Sequence, residues 1–263
     1  MTATLTDPVL AGSGLGKRYG AIEALTGVDI TLRRGEVTSL CGDNGAGKST
    51  LVKLLSGASA PTTGTLTVNG EPVRLRSPRH AQQVGIQTVF QDLGIAPHLT
   101  VTENVFLGRE IPRPGLLGKL GMLDRKAMQA ATADAVSRTK INLPGLDHIV
   151  ESMSGGQRQA VAVSRTVAGQ GSIVLLDEPT AALGVQETDR VADLITRLRD
   201  SGIAVLMISH DLPMVMELSD RVVVLRHGRK VGDFTAAGHT VDDVIAYITG
   251  HRVDDRQPVK EIS

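Results

Sequence analysis

The sequence predicts an α/β fold in which a parallel sheet core carries an inserted helical block. An apolar segment, Val37–Cys41, leads through a glycine-rich turn into a helical segment over residues 48–56. Strand-like and helix-like segments alternate again from residue 173, which is typical of crossover connections in a parallel sheet. Between these two parts, residues 93–165 show mainly helical patterns, so we expect them to form the insertion.

The bulk composition fits one large α/β domain or one domain with an inserted subdomain. The chain has 263 residues with 28 Lys or Arg and 28 Asp or Glu, so no net basic charge attracts nucleic acid or anionic lipid. Only 2% of the residues are aromatic, which leaves few rings for stacking on bases. The longest apolar run, residues 203–208, is far shorter than the roughly 20 residues of a membrane span. We therefore expect a soluble chain that binds no nucleic acid and reaches a membrane only through a partner.

The first part of the chain carries clear turn and cap signals. Alternating apolar residues surround Asn69-Gly70, which predicts a hairpin over residues 64–73. Ser77-Pro78 combines a capping hydroxyl with a proline at the first helical position, and therefore predicts a helix start. A further predicted strand, residues 87–90, ends at Gln91.

The helical block opens at a capping-box match between Thr100 and Glu103. Residues 108–121 are rich in Gly and Pro, and we predict a loop there. Residues 124–139 are rich in Ala with few helix breakers, so they are predicted to be helical.

Beyond the block the α/β alternation resumes. The predicted elements are a strand over 173–176, a helix over 185–199, a strand over 203–209, and a terminal hairpin of strands 221–225 and 230–234. Residues 251–263 form a charged tail that we expect to be frayed. Residues 9–250 are therefore assigned to a single domain.

Residues 42–49, the phosphate loop, match the pattern G-x-x-x-x-G-K-[ST] in full. Glycines allow a tight turn whose N–H groups face phosphate oxygens, and the following helix adds its positive N-terminal end. Lys48 is expected to reach the β- and γ-phosphates, and the Ser49 hydroxyl to ligate Mg²⁺. The predicted nucleotide-binding residues here are Gly42, Asp43, Asn44, Gly45, Ala46, Gly47, Lys48, Ser49 and Thr50. The alternative, an ordinary glycine-rich turn, leaves the complete match between a strand and a helix unexplained.

Two acids follow the apolar strand predicted at residues 173–176. The carboxyl end of a buried parallel strand lies beside the phosphate loop in this architecture. Asp177 is expected to hold Mg²⁺ directly or through water, and Glu178 to polarise the attacking water as general base. Acids also follow strands as helix caps, but the phosphate loop upstream favours the catalytic interpretation.

Residues 154–157, Ser154-Gly155-Gly156-Gln157, form the signature segment. A helix is predicted to begin here, because Ala160 and the residues after it show helical spacing. Small residues ahead of a helix expose its N–H groups and provide a second anion-binding device. A phosphate loop and a separate phosphate-binding helix start indicate a two-chain arrangement. The alternative is a flexible loop that caps an ordinary helix.

Three single residues are further candidates. His210 ends a predicted strand and could hydrogen-bond the γ-phosphate, although a lone histidine is more often a surface or capping residue. Gln91 could contact Mg²⁺ or the attacking water. Tyr19 could stack on an adenine ring, whereas an isolated tyrosine usually serves packing.

The chain resembles the ATP-binding cassette (ABC) family over nearly its whole length. The resemblance rests on six elements in the family's order: Tyr19, residues 42–49, Gln91, residues 154–157, residues 173–178 and His210. It implies a P-loop NTPase (RecA-like) core with an antiparallel β subdomain and an inserted helical signature subdomain, which together form one nucleotide-binding domain. ATP and Mg²⁺ are the implied cofactors. The implied catalytic residues are Lys48, Gln91, Glu178 and His210, and the implied metal ligands are Ser49, Gln91 and Asp177.

The resemblance also implies partners. Two cassettes would sandwich two ATP molecules, each between one chain's phosphate loop and the other chain's Ser154, Gly155, Gly156 and Gln157. ATP binding would close the dimer, and hydrolysis would reopen it and drive a transmembrane permease that works with a substrate-binding protein. Gln91 and the helical block would face the permease, which would place the chain at the cytoplasmic face of the inner membrane. One cassette per chain implies a homodimer, with a different second cassette as the alternative.

Finer features are most similar to the fructose-type import cassettes of the carbohydrate-importer branch. They lie in residues 42–49, 104–111 and 178–185. The leading function is therefore the ATPase subunit of a monosaccharide importer. The alternatives are the cassette of an exporter and a soluble ABC ATPase that acts on ribosomes or DNA. A P-loop kinase or GTPase would leave the signature segment unexplained, and the glycine spacing does not give the dinucleotide-binding pattern G-x-G-x-x-G.

Two positions depart from the family pattern. Met153 precedes the signature segment where Leu is usual, and we expect little effect because the two side chains are similar in volume. Gly184 stands where the loop after residues 173–178 often ends in Asp. This removes a carboxylate that could connect the two ATP sites.

Overall fold

The computed structural model describes residues 8–89, 95–139, 143–168, 171–181 and 184–252. The predicted position Gln91 lies outside the described residues. The strands are β1 (Pro8–Tyr19), β2 (Ile22–Arg33), β3 (Val37–Cys41), β4 (Thr63–Val68), β5 (Glu71–Val73), β6 (Ile86–Val89), β7 (Ile173–Asp177), β8 (Ala204–Ile208), β9 (Arg221–Arg226) and β10 (Arg229–Thr235). The helices are α1 (Lys48–Leu55), α2 (Pro78–Gln83), α3 (Val101–Phe106), α4 (Leu116–Lys119), α5 (Arg125–Thr139), α6 (Gly155–Ala168), α7 (Val185–Asp200), α8 (Leu212–Leu218) and α9 (Val241–Thr249).

Two sheets carry the α/β part of the fold. The central sheet has the strand order β10-β9-β3-β8-β7-β6, and its neighbours from β9 to β6 pair in parallel. The smaller sheet has the order β2-β1-β4-β5 and is antiparallel. Because β3, β8 and β7 are adjacent and parallel, their carboxyl ends lie at the same edge of the sheet. This is the edge at which parallel α/β sheets bind their ligands.

Apolar side chains pack against both faces of the central sheet. On one face, Leu40 and Ile208 join a buried cluster with Leu54 of α1 and with residues of the antiparallel sheet. On the other face, residues of α7, α8 and α9 such as Leu194 and Val215 form a second cluster. Each fully buried side chain of this size contributes about 1.5–3 kcal/mol relative to an exposed one. This two-sided packing fixes the strand ends that carry the site.

The helical block has its own core, built from α3, α5 and α6. Val101, Val150 and Val161 are buried in this cluster. The predicted capping box is confirmed: the Thr100 hydroxyl accepts from the Glu103 N–H at 3.2 Å, and the Glu103 carboxylate accepts from the Thr100 N–H at 3.0 Å. The predicted loop over 108–121 is wrong in one detail, because it contains the four-residue helix α4.

The sequence-based prediction omitted three elements. One is the long β1–β2 hairpin. The second is the short helix α8, and the third is α9, which begins at a capping box between Thr240 and Asp243. Of the helices that the structure describes, none is long and apolar enough to cross a membrane.

Candidate functional site

The phosphate loop connects the buried strand β3 to the start of α1. Its first and last glycines have backbone φ angles of 146° at Gly42 and 103° at Gly47, which residues with a side chain rarely adopt. A Cβ at Gly42 would collide with the carbonyl oxygen of Leu225 in β9. A Cβ at Gly47 would lie 2.8 Å from the Leu25 side chain in β2. The loop is therefore held tightly between the two sheets, and glycine is required at both ends of it.

Lys48 lies at the first position of α1 and folds back into the loop. Its ammonium nitrogen donates to the carbonyl oxygens of Gly42 at 2.6 Å and Asp43 at 2.9 Å. An ammonium has three hydrogens to donate, so Lys48 braces the loop and presents its positive charge there. Phosphate oxygens placed in the loop would compete with these carbonyls for the same donors.

A cavity of about 610 Å³ opens in front of the loop. Residues 44–50 line it together with Asp177 and Glu178, so the structure brings the two predicted sequence elements to one place. The sequence did not predict the other residues that line the cavity. They are Ile22, Glu23 and Ala24 of the β1–β2 hairpin, Ile208 of β8, and His227 and Gly228 of the β9–β10 turn.

Asp177 is the last residue of β7 and pairs in parallel register with Ile208. Burial raises the pKa of its carboxyl above the usual aspartate value, and the charge of Lys48 offsets part of this effect. Because this carboxylate is partly removed from water, a nearby cation stabilises its charged form. Asp177 and the Ser49 hydroxyl both line the cavity, and their oxygens are the ligand type that Mg²⁺ prefers.

Glu178 adopts a strained backbone conformation at the edge of the same cavity. Its φ angle is 50°, and its N–H donates to the Ile208 carbonyl at 3.0 Å. A non-glycine residue in this region costs of order 1–3 kcal/mol, and such strain is common at functional sites. The Glu178 carboxylate lies 2.8 Å from Nδ1 of His210, which follows β8. The structure therefore pairs two residues that the sequence proposed separately.

Tyr19 stands apart from this group. It ends β1, pairs across the hairpin with Ile22, and is 45% exposed, with the Lys17 ammonium 5.1 Å from its ring centre. Of the described residues that line the cavity, Ile22 is its nearest neighbour in the hairpin, and Tyr19 itself is not among them. A role in adenine stacking stays a prediction.

The signature segment begins α6 with a reciprocal cap. The Ser154 hydroxyl accepts from the Gln157 N–H at 3.3 Å, and the Gln157 side chain accepts from the Ser154 N–H at 3.0 Å. The described residues that line the cavity do not include residues 154–157. In a single chain the signature segment therefore lies outside the cavity formed by the phosphate loop.

Comparison with known proteins gives consistent matches. A family model described as "ABC transporter" matches residues 25–181, which is more than half of the chain. The fructose import ATP-binding protein FrcA of Rhizobium meliloti is 42% identical over 255 residues, which cover 96% of this chain and 98% of that protein. The ribose import ATP-binding protein RbsA of Yersinia pestis is 39% identical over 94% of this chain. The chain spans only 48% of that longer relative.

Solved structures share the fold. A nucleotide-free ATP-binding cassette from an ABC transporter matches with a TM-score of 0.76 and 23% identity, over 91% of this chain and 96% of that one. The cassette cbiO1 from Clostridium perfringens also matches with a TM-score of 0.76, at 25% identity over 94% and 96% of the two chains. These matches confirm the predicted α/β architecture with its inserted helical block.

Proposed function

Because this chain belongs to the ABC transporter family of ATPases, we propose that it hydrolyses ATP to energise import of a monosaccharide through a separate permease. One observation carries the proposal. Residues 44–49 of the phosphate loop, Asp177 and Glu178 line one cavity in a chain that aligns with a fructose import ATP-binding protein over nearly the full length of both.

Nucleotide binding begins at the phosphate loop. The N–H groups at the start of α1 and the Lys48 ammonium form a concentrated positive region. Lys48 donates to the carbonyls of Gly42 and Asp43, and on ATP binding it would exchange at least one of these bonds for a charged phosphate oxygen. Hydrogen bonds to charged partners are stronger than those to neutral carbonyls, so the exchange favours the triphosphate.

A divalent cation fits the same cavity. Ser49 and Asp177 would hold Mg²⁺, with Gln91 as the third proposed ligand. When bound, this ion neutralises charge on the β- and γ-phosphates. One carboxylate with a hydroxyl and an amide oxygen suits Mg²⁺, which is usually held by one or two carboxylates together with phosphates and waters. Burial raises the pKa of Asp177 because it disfavours the charged carboxylate, and a cation at this point would stabilise that charged form.

Hydrolysis is assigned to Glu178 and His210. Glu178 accepts a proton from the water that attacks the γ-phosphate, and the strained turn after β7 holds its carboxylate at the cavity. The Nδ1 atom of His210 lies 2.8 Å from Oε2 of Glu178 and holds the carboxylate in place. The other ring nitrogen, Nε2, faces away from Glu178. When Nδ1 donates to Glu178, Nε2 can donate to a phosphate oxygen only in the protonated imidazolium, in which both ring nitrogens carry a hydrogen.

The signature segment completes the site from a second chain. The start of its helix presents N–H groups of the kind that bind phosphate, yet the segment lies outside this chain's own cavity. A homodimer in which each signature segment faces the other chain's phosphate loop accounts for both facts. Each chain then contributes the phosphate loop to one ATP site and residues 154–157 to the other.

The helical block carries a surface suited to a protein partner. Five exposed apolar side chains follow one another closely in and around α4. They are Leu116, Leu117, Leu120, Met122 and Leu123, between 41% and 73% exposed. Contiguous exposed apolar groups of this kind mark interaction sites. We assign this surface to the permease, which would hold the chain at the cytoplasmic face of the membrane and connect it to a substrate-binding protein.

Reconstitution tests the proposed function. The chain is co-purified with the permease that it captures from detergent-solubilised membranes of its host, and the complex is placed in proteoliposomes with the cognate binding protein. We expect ATP hydrolysis to rise when fructose or a related monosaccharide is added. Capture of ribosomes or nucleic acid in place of a permease would contradict the proposal. ATP-driven efflux of the sugar would contradict the import direction.

A further inference from the structure

The first turn of α7 lies between two segments that serve different ATP sites in the proposed dimer. Gly184, the N-cap of α7, belongs to the segment that follows Glu178. Gly156 belongs to the signature segment. Glu187, in the first turn of α7, reaches both of them, because a Cβ at Gly184 would lie 2.8 Å from its Oε2 atom and a Cβ at Gly156 would lie 3.4 Å from its Cγ atom.

The carboxylate of Glu187 occupies the space next to Gly184 that a side chain at that position would enter. The backbone of Gly184 is extended, with φ −76° and ψ 169°, a conformation open to any residue. Glycine is therefore not required here by the backbone. A larger side chain at position 184 would instead meet the Glu187 carboxylate.

The contact with the signature segment involves more than one atom of α7. The stem of Glu187 and the Cδ atom of Arg190, at 3.8 Å, both face the Cβ position of Gly156. Glu187 is half-buried there, and as an acid in the first turn it is stabilised by the positive end of the helix. A single side chain thus joins the segment after the catalytic acid to the segment that binds the partner chain's ATP.

We propose that Glu187 is a positioning residue that supplies the carboxylate missing at position 184 and couples the two ATP sites through Gly156. The proposal rests on the shared-site dimer described above. When nucleotide in one site shifts Gly184, the first turn of α7 moves with it, and Glu187 passes the shift to the start of α6. That helix start faces the γ-phosphate of the other site.

Cooperativity of ATP hydrolysis tests this role. The Hill coefficient is measured for the wild type, for Glu187→Gln, for Glu187→Ala, and for the double variant Gly184→Asp/Glu187→Ala. We expect the wild type to approach the upper limit of about 2 for two coupled sites, and both single variants to fall to about 1. Aspartate at position 184 is expected to restore cooperativity in the double variant. Glu217→Gln, an exposed glutamate on α8, is the matched control and should behave as the wild type.

The outcomes separate this role from a purely structural one and from failure of the dimer. If Glu187→Gln and Glu187→Ala lower the melting temperature but keep the wild-type Hill coefficient, Glu187 only caps α7 and the proposal is overturned. If the double variant stays uncooperative, the claim that Glu187 replaces a carboxylate at position 184 is overturned. If the wild type shows no ATP-dependent dimer at all, the shared-site function itself fails, and the coupling role fails with it.

Discussion

The Nδ1 atom of His210 lies 2.8 Å from Oε2 of Glu178, across the carboxyl ends of the adjacent parallel strands β8 and β7. The two side chains differ in exposure, with 22% of Glu178 and 81% of His210 accessible. The carboxylate is thus largely buried, and the imidazole that contacts it is exposed to solvent. In the proposed mechanism, this pair lies where the attacking water is activated.

Glu178→Gln keeps the shape of the side chain but removes the base. We expect the rate of ATP hydrolysis to fall by about 10²–10⁴-fold, the usual contribution of a positioned base. ATP binding should be retained, so that a dimer persists in the presence of ATP on size-exclusion chromatography. Glu217→Gln, on the exposed face of α8, is the control. Near-normal turnover by Glu178→Gln would remove this residue from the base role.

Lys48→Ala removes the ammonium from the phosphate loop. Loss of one hydrogen bond to a charged group costs about 1.5–3 kcal/mol, which corresponds to a roughly 10–100-fold weaker Kd for ATP. Isothermal titration calorimetry measures this change directly. Lys53→Ala, an exposed lysine in the last turn of the same helix, should bind ATP as the wild type does. Unchanged affinity in Lys48→Ala would contradict the assignment.

Asp233 predicts a pH dependence of stability. Burial would raise the pKa of its carboxyl, but hydrogen bonds from Arg221 at 2.6 and 2.8 Å and from Lys230 at 2.7 Å outweigh burial and lower the pKa. A carboxyl whose pKa is lowered in the folded state stabilises the fold at neutral pH. This stabilisation is lost as the pH falls through the folded-state pKa.

Asp233→Asn should therefore lower the free energy of unfolding at pH 7 by about 2–3 kcal/mol. The difference from the wild type should shrink once the pH falls below the unfolded aspartate value of about 3.9. Urea unfolding at pH 7 and in the acid range measures this difference in the free energy of unfolding. The exposed Asp189→Asn is the control, and an equal loss for Asp233→Asn at both pH values would rule out the ionic origin.

Local signals predicted the parts of the site that are continuous in sequence. The phosphate loop, the strand before Asp177 and the Thr100 cap are each specified by residues within a few positions of one another, so their structure follows from turn, strand and capping preferences. The structure confirms these elements at nearly the predicted bounds.

Contacts between distant segments could not be read from the sequence. The β1–β2 hairpin lacks a regular alternation, because register shifts interrupt its pairing, and Ile22 and Ala24 therefore gave no signal as lining residues. His227 and Gly228 look like an ordinary hairpin turn until the fold brings them beside the phosphate loop. The Thr240 capping box was available in the sequence and would have revealed α9.

Ser154→Arg tests the signature segment. A large side chain at the start of α6 should block the approach of a second chain's ATP, because Ser154 lies at the exposed cap where a phosphate would bind. We expect the monomer to bind ATP with wild-type affinity by calorimetry, since residues 154–157 do not line the cavity that the structure describes in the same chain. Hydrolysis should be abolished, and full activity would refute a shared site.

Mixing two inactive variants tests the shared site most directly. In a mixed dimer, one ATP site combines the intact phosphate loop and Glu178 of the Ser154→Arg chain with the intact signature segment of the Glu178→Gln chain. We expect ATP hydrolysis, which is absent from each variant alone, to return when the two are mixed and refolded or exchanged together. A mixture that stays as inactive as its components, although both variants bind ATP and mixed dimers are present, would contradict an ATP site built from two chains.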